Sequence, residues 1–315
     1  MKIVPFLKEH VEAAQALALQ NYNEERESVP ILPAFEAVSA LDEFAENGIG
    51  VAALEGGKFV GFLCGCDPWQ GGIGAGKDVL CTFSPIHAHG SVKENRARIY
   101  QNLYAAAAEQ WVRNGILMHG VALYAHDEDA VRAFFEYGFG KRCMDLICTT
   151  EGGGKMPETE VHFAERTGEQ RAELCILRRA LQTHMAQSPC FMAETAAETE
   201  AYLHRVETDG RRTFTAEKDG EVIAFLDISE DGENFSTEFE NMWNICGAYC
   251  VPKHRGTNAM RGLLEHVKAA LKAENIPLLG VDCESINPTA NRFWQKFFTP
   301  YTCSVTRRIE ILNFI

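Results

Sequence analysis

Apolar positions along the chain follow two patterns, a helical spacing and short continuous runs. Helical spacing predicts helices over residues 11–22 and 97–114 in the first half, and over 168–185 and 260–274 in the second. Continuous apolar runs predict buried strands at 57–63, 79–83, 120–124, 220–226, 243–251 and 278–283. Each half therefore predicts an α+β fold: a mixed, mostly antiparallel sheet with one parallel β-α-β crossover and flanking helices.

The two halves also share short stretches of sequence. Residues 57–63 read GKFVGFL, and residues 220–226, 163 positions later, read GEVIAFL. Residues 127–135 resemble residues 287–294, with Ala130 and Ala290 160 positions apart. Two matches in the same order and at nearly the same offset indicate two diverged copies of one unit.

A glycine-rich segment separates the two copies. Residues 151–157 read EGGGKMP, a composition typical of a linker. We therefore expect one domain over residues 1–150 and a second over residues 158–315.

Composition narrows the class of protein. At 315 residues, with 46% apolar and 23% charged residues, the chain has the make-up of a globular protein with two domains. No run approaches the roughly 20 apolar residues of a membrane span, and no secretory signal opens the chain, so we expect a cytoplasmic protein without a membrane partner. The formal net charge of −14 disfavours nucleic acid as a partner and attracts cationic molecules such as amines.

Cysteine and histidine spacing argues against a metal site. Most of the eleven cysteines lie in apolar runs, where a reduced thiol behaves as a small hydrophobe: Cys64, Cys66, Cys81, Cys246, Cys250 and Cys283. His87, His89 and His126 fit no ligand spacing. We expect no metal and no disulfide framework.

The richest motif runs from residue 245 to residue 260. It reads as a strand, a proline-interrupted turn and the start of a helix, which together aim backbone N–H groups and the positive end of a helix at one point. Arg255 adds a cation whose donors match phosphate oxygens. Such a turn suits a pyrophosphate, although an ordinary tight turn has the same outline.

Together with the elements after it along the chain, this motif resembles the GNAT superfamily of acetyl-CoA-dependent N-acyltransferases. The order is a strand, Val-Pro-x-x-Arg-Gly, a helix, a strand, and then Asn-x-x-Ala-x-x-x-aromatic. The resemblance covers the second half well and the first more loosely. It implies that acetyl-CoA is held by Tyr249, Cys250, Val251, Arg255, Gly256, Thr257, Asn258, Ala259, Met260, Asn287 and Trp294.

Three positions depart from the family's pattern. Asn258 and Met260 stand where the family usually has glycines, and Trp294 stands where a tyrosine often protonates the departing thiolate. An indole cannot supply that proton. Tyr249 and Tyr301 are the candidate replacements.

The resemblance also implies a thioester carbonyl held by a backbone N–H within residues 249–251, and a carboxylate base for the amine. Four acidic residues at strand ends are candidates for that base: Glu238, Glu240, Asp282 and Glu284. Of these, Glu240 is the residue we select, with Tyr249 and Tyr301, as catalytic.

The first copy lacks these features. Its loop places His89-Gly90 opposite Arg255-Gly256 and is about six residues longer, without the arginine. We expect a structural or substrate-shaping role for it, and a second acetyl-CoA site is the alternative. The implied function is an N-acetyltransferase that uses acetyl-CoA on a small amine or a peptide amine, with its active site in the second domain. The alternative is a catalytically silent module that binds acetyl-CoA or senses a ligand. The acceptor and the oligomeric state stay open.

Overall fold

The computed structural model describes residues 1–151, 160–167 and 174–310. The eight helices of these residues are α1 Val11–Ser28, α2 Asp42–Glu46, α3 Arg96–Arg113, α4 Glu128–Glu136, α5 Cys175–Ala186, α6 Ala196–Thr208, α7 Ala259–Ala273 and α8 Pro288–Trp294. The first eight strands are β1 Lys2–Pro5, β2 Val51–Glu55, β3 Lys58–Leu63, β4 Trp69–Gln70, β5 Leu80–Ser84, β6 His89–Ser91, β7 Ile116–Tyr124 and β8 Gly140–Thr149. The others are β9 His162–Arg166, β10 Arg212–Lys218, β11 Glu221–Ser229, β12 Met242–Cys250, β13 Leu278–Glu284, β14 Thr299–Pro300 and β15 Thr302–Arg308.

The chain divides into two compact units. The first contains Met1–Asp145 together with Thr299–Ile315, and the second contains Leu146–Phe298. The expected second domain, residues 158–315, is therefore corrected at its C-terminal end. Its last strand, β15, pairs antiparallel with β7 over seven residues and belongs to the first unit. Of the expected linker, residues 152–157 lie outside the described part of the chain, as do residues 168–173 of the predicted helix before α5.

The first unit contains two groups of strands. β1, β2, β3 and β6 form a four-stranded antiparallel sheet, and β4, β5, β7, β15 and β8 follow one another in a second group. β5 and β7 are parallel and are joined through α3, which is the predicted crossover. The apolar face of α3 carries the fully buried Trp111 into the core.

In the second unit the strand order is β13, β12, β11, β10, β9. β9 to β12 pair antiparallel, and β12 pairs parallel with β13 through α7. α7 approaches β9 closely: a Cβ at Gly262 would lie 2.3 Å from the ring of Phe163. Glycine at this position lets the helix lie flat on the sheet.

The repeated sequence marks a repeated turn. β2 and β3 are joined through Gly56 and Gly57, and β10 and β11 through Asp219 and Gly220, with φ positive at all four residues. Two consecutive residues of positive φ make the tight hairpin turn that glycine favours. The predicted fold class, two GNAT-like α+β units, is confirmed.

The structure corrects one alignment between the copies. Ser91 pairs with Gly61, and Cys250 pairs with Ala224, the residue 163 positions after Gly61. Residues 89–91 therefore correspond to 248–250, the end of β12, and His89-Gly90 does not stand where Arg255-Gly256 stands. The connection from this strand to the next helix is shorter in the first unit, residues 92–95 against 251–258, and not longer.

The described residues contain neither a membrane-spanning helix nor a metal-binding cluster. None of their helices is long and apolar enough to cross a membrane. Nor do they contain a cluster of three or more His, Cys, Asp or Glu side chains that could hold a metal ion. Cys246, expected in the core, is exposed.

Candidate active site

The site begins where β12 leaves β13. Their parallel pairing ends at Ile245 and Val281, while β12 stays paired with β11 as far as Cys250. The N–H of Val251 bonds to the carbonyl of Ile223 at 3.0 Å, beside β11. Because backbone groups alternate sides along a strand, the N–H of Cys250 points away from β11, into the gap between the parallel strands.

The N-terminus of α7 lies beyond this gap. Asn258 caps the helix without a side-chain hydrogen bond, and the first intrahelical bond runs from the N–H of Gly262 to the carbonyl of Asn258. The N–H groups of Met260 and Arg261 therefore lie in the first turn, where an α-helix offers unpaired donors and a positive dipole. Met260 replaces a glycine of the family pattern without interrupting the helix.

The gap and the helix end open into one cleft of about 570 Å³. Four cationic side chains line it: Arg255, Arg261, Arg292 and Lys296. None of the described residues in its lining is an Asp or Glu, although the whole chain has a net charge of −14. A cleft of this charge favours a polyanion such as a nucleotide phosphate.

Arg255 connects the loop before α7 to the end of β12, beside the gap. Its Nε donates to the carbonyl of Cys250 at 2.9 Å, and its guanidinium carbon lies 5.4 Å from the centre of the Tyr249 ring. The cation therefore has a fixed position, and its terminal nitrogens are the donors left for an anion.

α8 forms the opposite wall. Asn287 caps this helix by accepting from the N–H of Ala290, and its amide nitrogen lies 3.7 Å from the sulfur of Met185. Trp294 is 5% exposed and packs edge-on against Phe293 and Phe298. Both residues line the cleft, as the sequence predicted.

Comparison with known proteins agrees with this geometry. Residues 179–298 match the family model of the acetyltransferase (GNAT) family, a segment that contains β12, α7, β13 and α8. This segment is therefore similar to a GNAT domain. No curated protein sequence matches the chain.

Solved structures extend the similarity of fold to both units. The GCN5-related N-acetyltransferase from Sphaerobacter thermophilus aligns over 98% of this chain and 96% of its own, with a TM-score of 0.58 at 11% identity. A glucosamine N-acetyltransferase region of a fungal multi-domain GH3 β-N-acetylglucosaminidase aligns over 97% of this chain and 38% of its own, with a TM-score of 0.54 at 14% identity. At these identities the similarity concerns the fold alone.

The predicted catalytic residues do not come together in the GNAT cleft. Tyr249 lines it and is 8% exposed. Glu240 is exposed and precedes β12 at the far end, and the strand from Met242 to Tyr249 alone spans roughly 23 Å. Tyr301 is buried in the first unit. Glu238, Asp282 and Glu284 do not line the cleft either.

Sequence reasoning missed several residues of the cleft lining, including the cations Arg261, Arg292 and Lys296. Another of them is His184. It lies on α5 with its ring 6.5 Å from the Tyr249 ring, and burial together with the charge of Arg255 lowers its pKa below the usual 6.5. Leu174, Leu177 and Leu181 precede it at helical spacing. A histidine that continues an apolar stripe was the available signal.

In the first unit, side chains fill the position that corresponds to the cleft of the second unit. Asn21 on α1 accepts from the N–H of Ser91, the counterpart of Cys250, and donates to its carbonyl. Arg96, the first residue of α3, pairs with Glu24 at 2.7 Å and with Asp127 at 3.0 Å. Carboxylates thus occupy the helix end where a phosphate would bind in a GNAT domain.

The cavity beside these residues has the opposite charge to the GNAT cleft. It measures about 350 Å³ and is lined by six acidic residues, Glu24, Glu25, Glu27, Asp127, Glu128 and Asp129. Lys93 and Arg96 are its basic residues, and Arg96 is already paired. A polyanionic cofactor would be repelled here.

Proposed function

We propose that this protein is an N-acetyltransferase that transfers an acetyl group from acetyl-CoA to a primary amine by direct attack, with its active site in the second unit. The observation that carries the proposal is the cleft at the N-terminal end of α7, whose lining within the described part of the chain has four cations and no acid. It opens beside a strand end that offers an unpaired N–H. The acceptor is a small amine or a peptide amine.

The pyrophosphate of acetyl-CoA binds at the first turn of α7, against the N–H groups of Met260 and Arg261 and the guanidinium of Arg255. Charge-assisted hydrogen bonds of this kind are among the strongest that a protein makes. Gly256, Thr257, Asn258 and Ala259 form the loop around the phosphates. Asn287 and Trp294, on α8, flank the thiol end of the cofactor.

The thioester carbonyl then lies at the end of β12. The N–H of Cys250 donates to its oxygen, and Tyr249 and Val251 hold the strand on either side. As the amine attacks, negative charge develops on that oxygen, and a fixed backbone donor stabilises the developing charge more than the starting thioester. The Tyr249 hydroxyl supplies the proton for the departing thiolate, the role that Trp294 cannot fill.

Calorimetry with acetyl-CoA tests where the cofactor binds. Arg255→Ala removes a charge-assisted donor, and we expect the dissociation constant to rise by about 10- to 150-fold, equivalent to about 1.5–3 kcal/mol. Arg113→Ala is the matched control, since Arg113 is an exposed arginine on α3 that pairs with Glu109. Unchanged affinity in Arg255→Ala would place the cofactor elsewhere.

Thiol release from acetyl-CoA tests the reaction. The assay runs against polyamines, amino acids, aminoglycosides and peptides, with Arg255→Ala as the reference for impaired binding. Release that depends on one class of amine supports the acetyltransferase. Tight acetyl-CoA binding without release above that reference would favour the catalytically silent sensing module instead.

A further inference from the structure

One required step of the proposed reaction is the removal of a proton from the amine. An amine is mostly protonated near neutral pH, so it must lose a proton before it can attack a thioester. Among the residues that the structure describes, no carboxylate lines the cleft, and the lining contains two histidines, His184 and His254. Resting on the acetyltransferase proposal, we infer that His184 is the general base that takes this proton.

The two histidines lie in different parts of the cleft. His254 ends the 3₁₀ turn Pro252–His254, on the way to the first turn of α7, and its carbonyl accepts from Thr257. It therefore lies at the phosphate end. His184 contacts Tyr249, the neighbour of Cys250, and is thus on the side of the thioester carbonyl.

The helix that carries His184 is held firmly. Arg178 and Asp227, both fully buried, pair at 3.0 Å and join α5 to β11, and the hydroxyl of Thr213 donates to Asp227 at 2.6 Å. Leu177 packs with Phe225 and Tyr249 in one buried cluster. His184 lies two helical turns beyond Leu177, so its ring is presented from a rigid element.

The surroundings of His184 keep its imidazole neutral. Burial, and then the Arg255 guanidinium, lower its pKa, while Tyr249 faces it from β12. Below that pKa the ring is protonated and cannot accept; above it, through neutral pH, it can. When phosphates pair with Arg255 the opposing positive charge weakens, so the pKa rises and His184 becomes a stronger base in the complex.

The step balances in atoms and charge. His184 takes one proton from the ammonium and later releases it to solvent. The nitrogen lone pair attacks the carbonyl carbon, the N–C bond forms, and the C–S bond breaks as its electron pair leaves with sulfur. The second proton of the amine nitrogen passes to solvent water as the amide forms. The thiolate gains a proton from Tyr249, which takes one back from solvent, so that one proton is released for each acetyl group transferred.

The test compares His184→Asn with His204→Asn, an identical change at an exposed histidine of α6. We expect His184→Asn to lower kcat by about 10²- to 10⁴-fold and to remove the acid limb of the pH–rate profile, with acetyl-CoA affinity by calorimetry retained. His204→Asn keeps both. NMR titration of His184 in the wild type should give a pKa below 6.5 that rises when CoA is added.

The outcomes separate this inference from the function on which it rests. A wild type that acetylates an amine, with an unchanged rate and acid limb in His184→Asn, overturns the role of His184 alone. A wild type that binds acetyl-CoA but acetylates no amine overturns the proposed function and this inference together. Loss of acetyl-CoA binding in His184→Asn would show a binding role and also overturn the inference.

Discussion

Three positions of this site depart from the common GNAT pattern, namely Asn258, Met260 and Trp294. Trp294 fills the position of the usual tyrosine, and its ring is locked between Phe293 and Phe298 in the cleft wall. In the proposed reaction the indole supports the thiol end of the cofactor by packing, and Tyr249 donates the proton. The guanidinium carbon of Arg255 lies 5.4 Å from the centre of the Tyr249 ring, and the His184 ring lies 6.5 Å from it.

Tyr249→Phe tests this role. The change keeps the ring and its contacts but removes the hydroxyl, so we expect kcat to fall by about 10²- to 10⁴-fold while acetyl-CoA affinity is retained. Tyr301→Phe is the matched control, because Tyr301 lies in the first unit and should leave kcat unchanged. A fall in kcat with Tyr301→Phe alone would reverse the assignment.

The candidate binding residues taken from sequence motifs lie together in one cleft, whereas the candidate catalytic residues do not. Arg255, Asn287 and Trp294 belong to motifs with fixed local spacing, and the structure places all three in one cleft. The carboxylate base was a prediction from side-chain chemistry and strand ends alone. Glu240 precedes β12 and therefore lies at the opposite end of that strand from Tyr249, and a position at a strand end does not by itself state which carboxylate faces the cleft.

At the scale of elements, the two copies differ in the length of the strand segment that precedes the crossover helix. The first unit uses residues 80–91 for β5 and β6, where the second uses residues 242–250 for β12. The additional residues form a turn around Ile86, and the connection to the helix is shortened. Sequence matching placed His89 opposite Arg255 because a turn with histidines resembles a loop, whereas strand pairing assigns His89 to β6.

His89, on β6, is a buried histidine of the first unit with close polar and aromatic neighbours. Its ring is buried, with Nδ1 at 3.0 Å from the Tyr100 hydroxyl and Nε2 at 2.5 Å from the carbonyl of Ala122. His119, on β7, is fully buried beside Trp111 and Tyr104. Burial lowers the pKa of each histidine to about 4.

These two histidines predict acid sensitivity of the first unit. In the unfolded chain each would titrate near 6.5, so the unfolded state binds more protons between about pH 6.5 and 4, and stability falls as the pH falls through that window. Between pH 7 and pH 5 we expect a loss of about 2 kcal/mol per histidine, measured by urea unfolding. His89→Gln should reduce this dependence, and an equal loss in the variant would contradict the account.

At the scale of the whole molecule, the repeat was visible in the sequence but its boundaries were not. The hairpin turns at Gly57 and Gly220 and the helix caps Asp127 and Asn287 are local signals, and they locate the two copies. The partner of β15 depends on contacts with residues more than 150 positions away. Apolar patterning indicates a strand there but carries no information on its neighbours.

This strand completes the first unit. β15 lies between β7 and β8, with Val305 fully buried in the same core cluster as Trp111. A fragment of residues 1–150, the domain expected from the sequence, would leave the edges of β7 and β8 unpaired. Unpaired edges and an open core expose backbone groups and apolar surface, so we expect the fragment to lack cooperative unfolding and to aggregate.

A fusion provides the matched control. β15 runs antiparallel to β8, and the N–H of Tyr301 bonds to the carbonyl of Asp145, so residues 299–310 can follow residue 145 through a short Asn-Gly turn. Circular dichroism during urea titration should show a cooperative transition for this fusion and none for fragment 1–150. If fragment 1–150 instead shows a cooperative transition as steep as that of the fusion, β15 is dispensable and the unit ends before the linker. A fusion that also fails to fold would show that the first unit depends on more of the chain than β15, because the turn restores the strand in its native register.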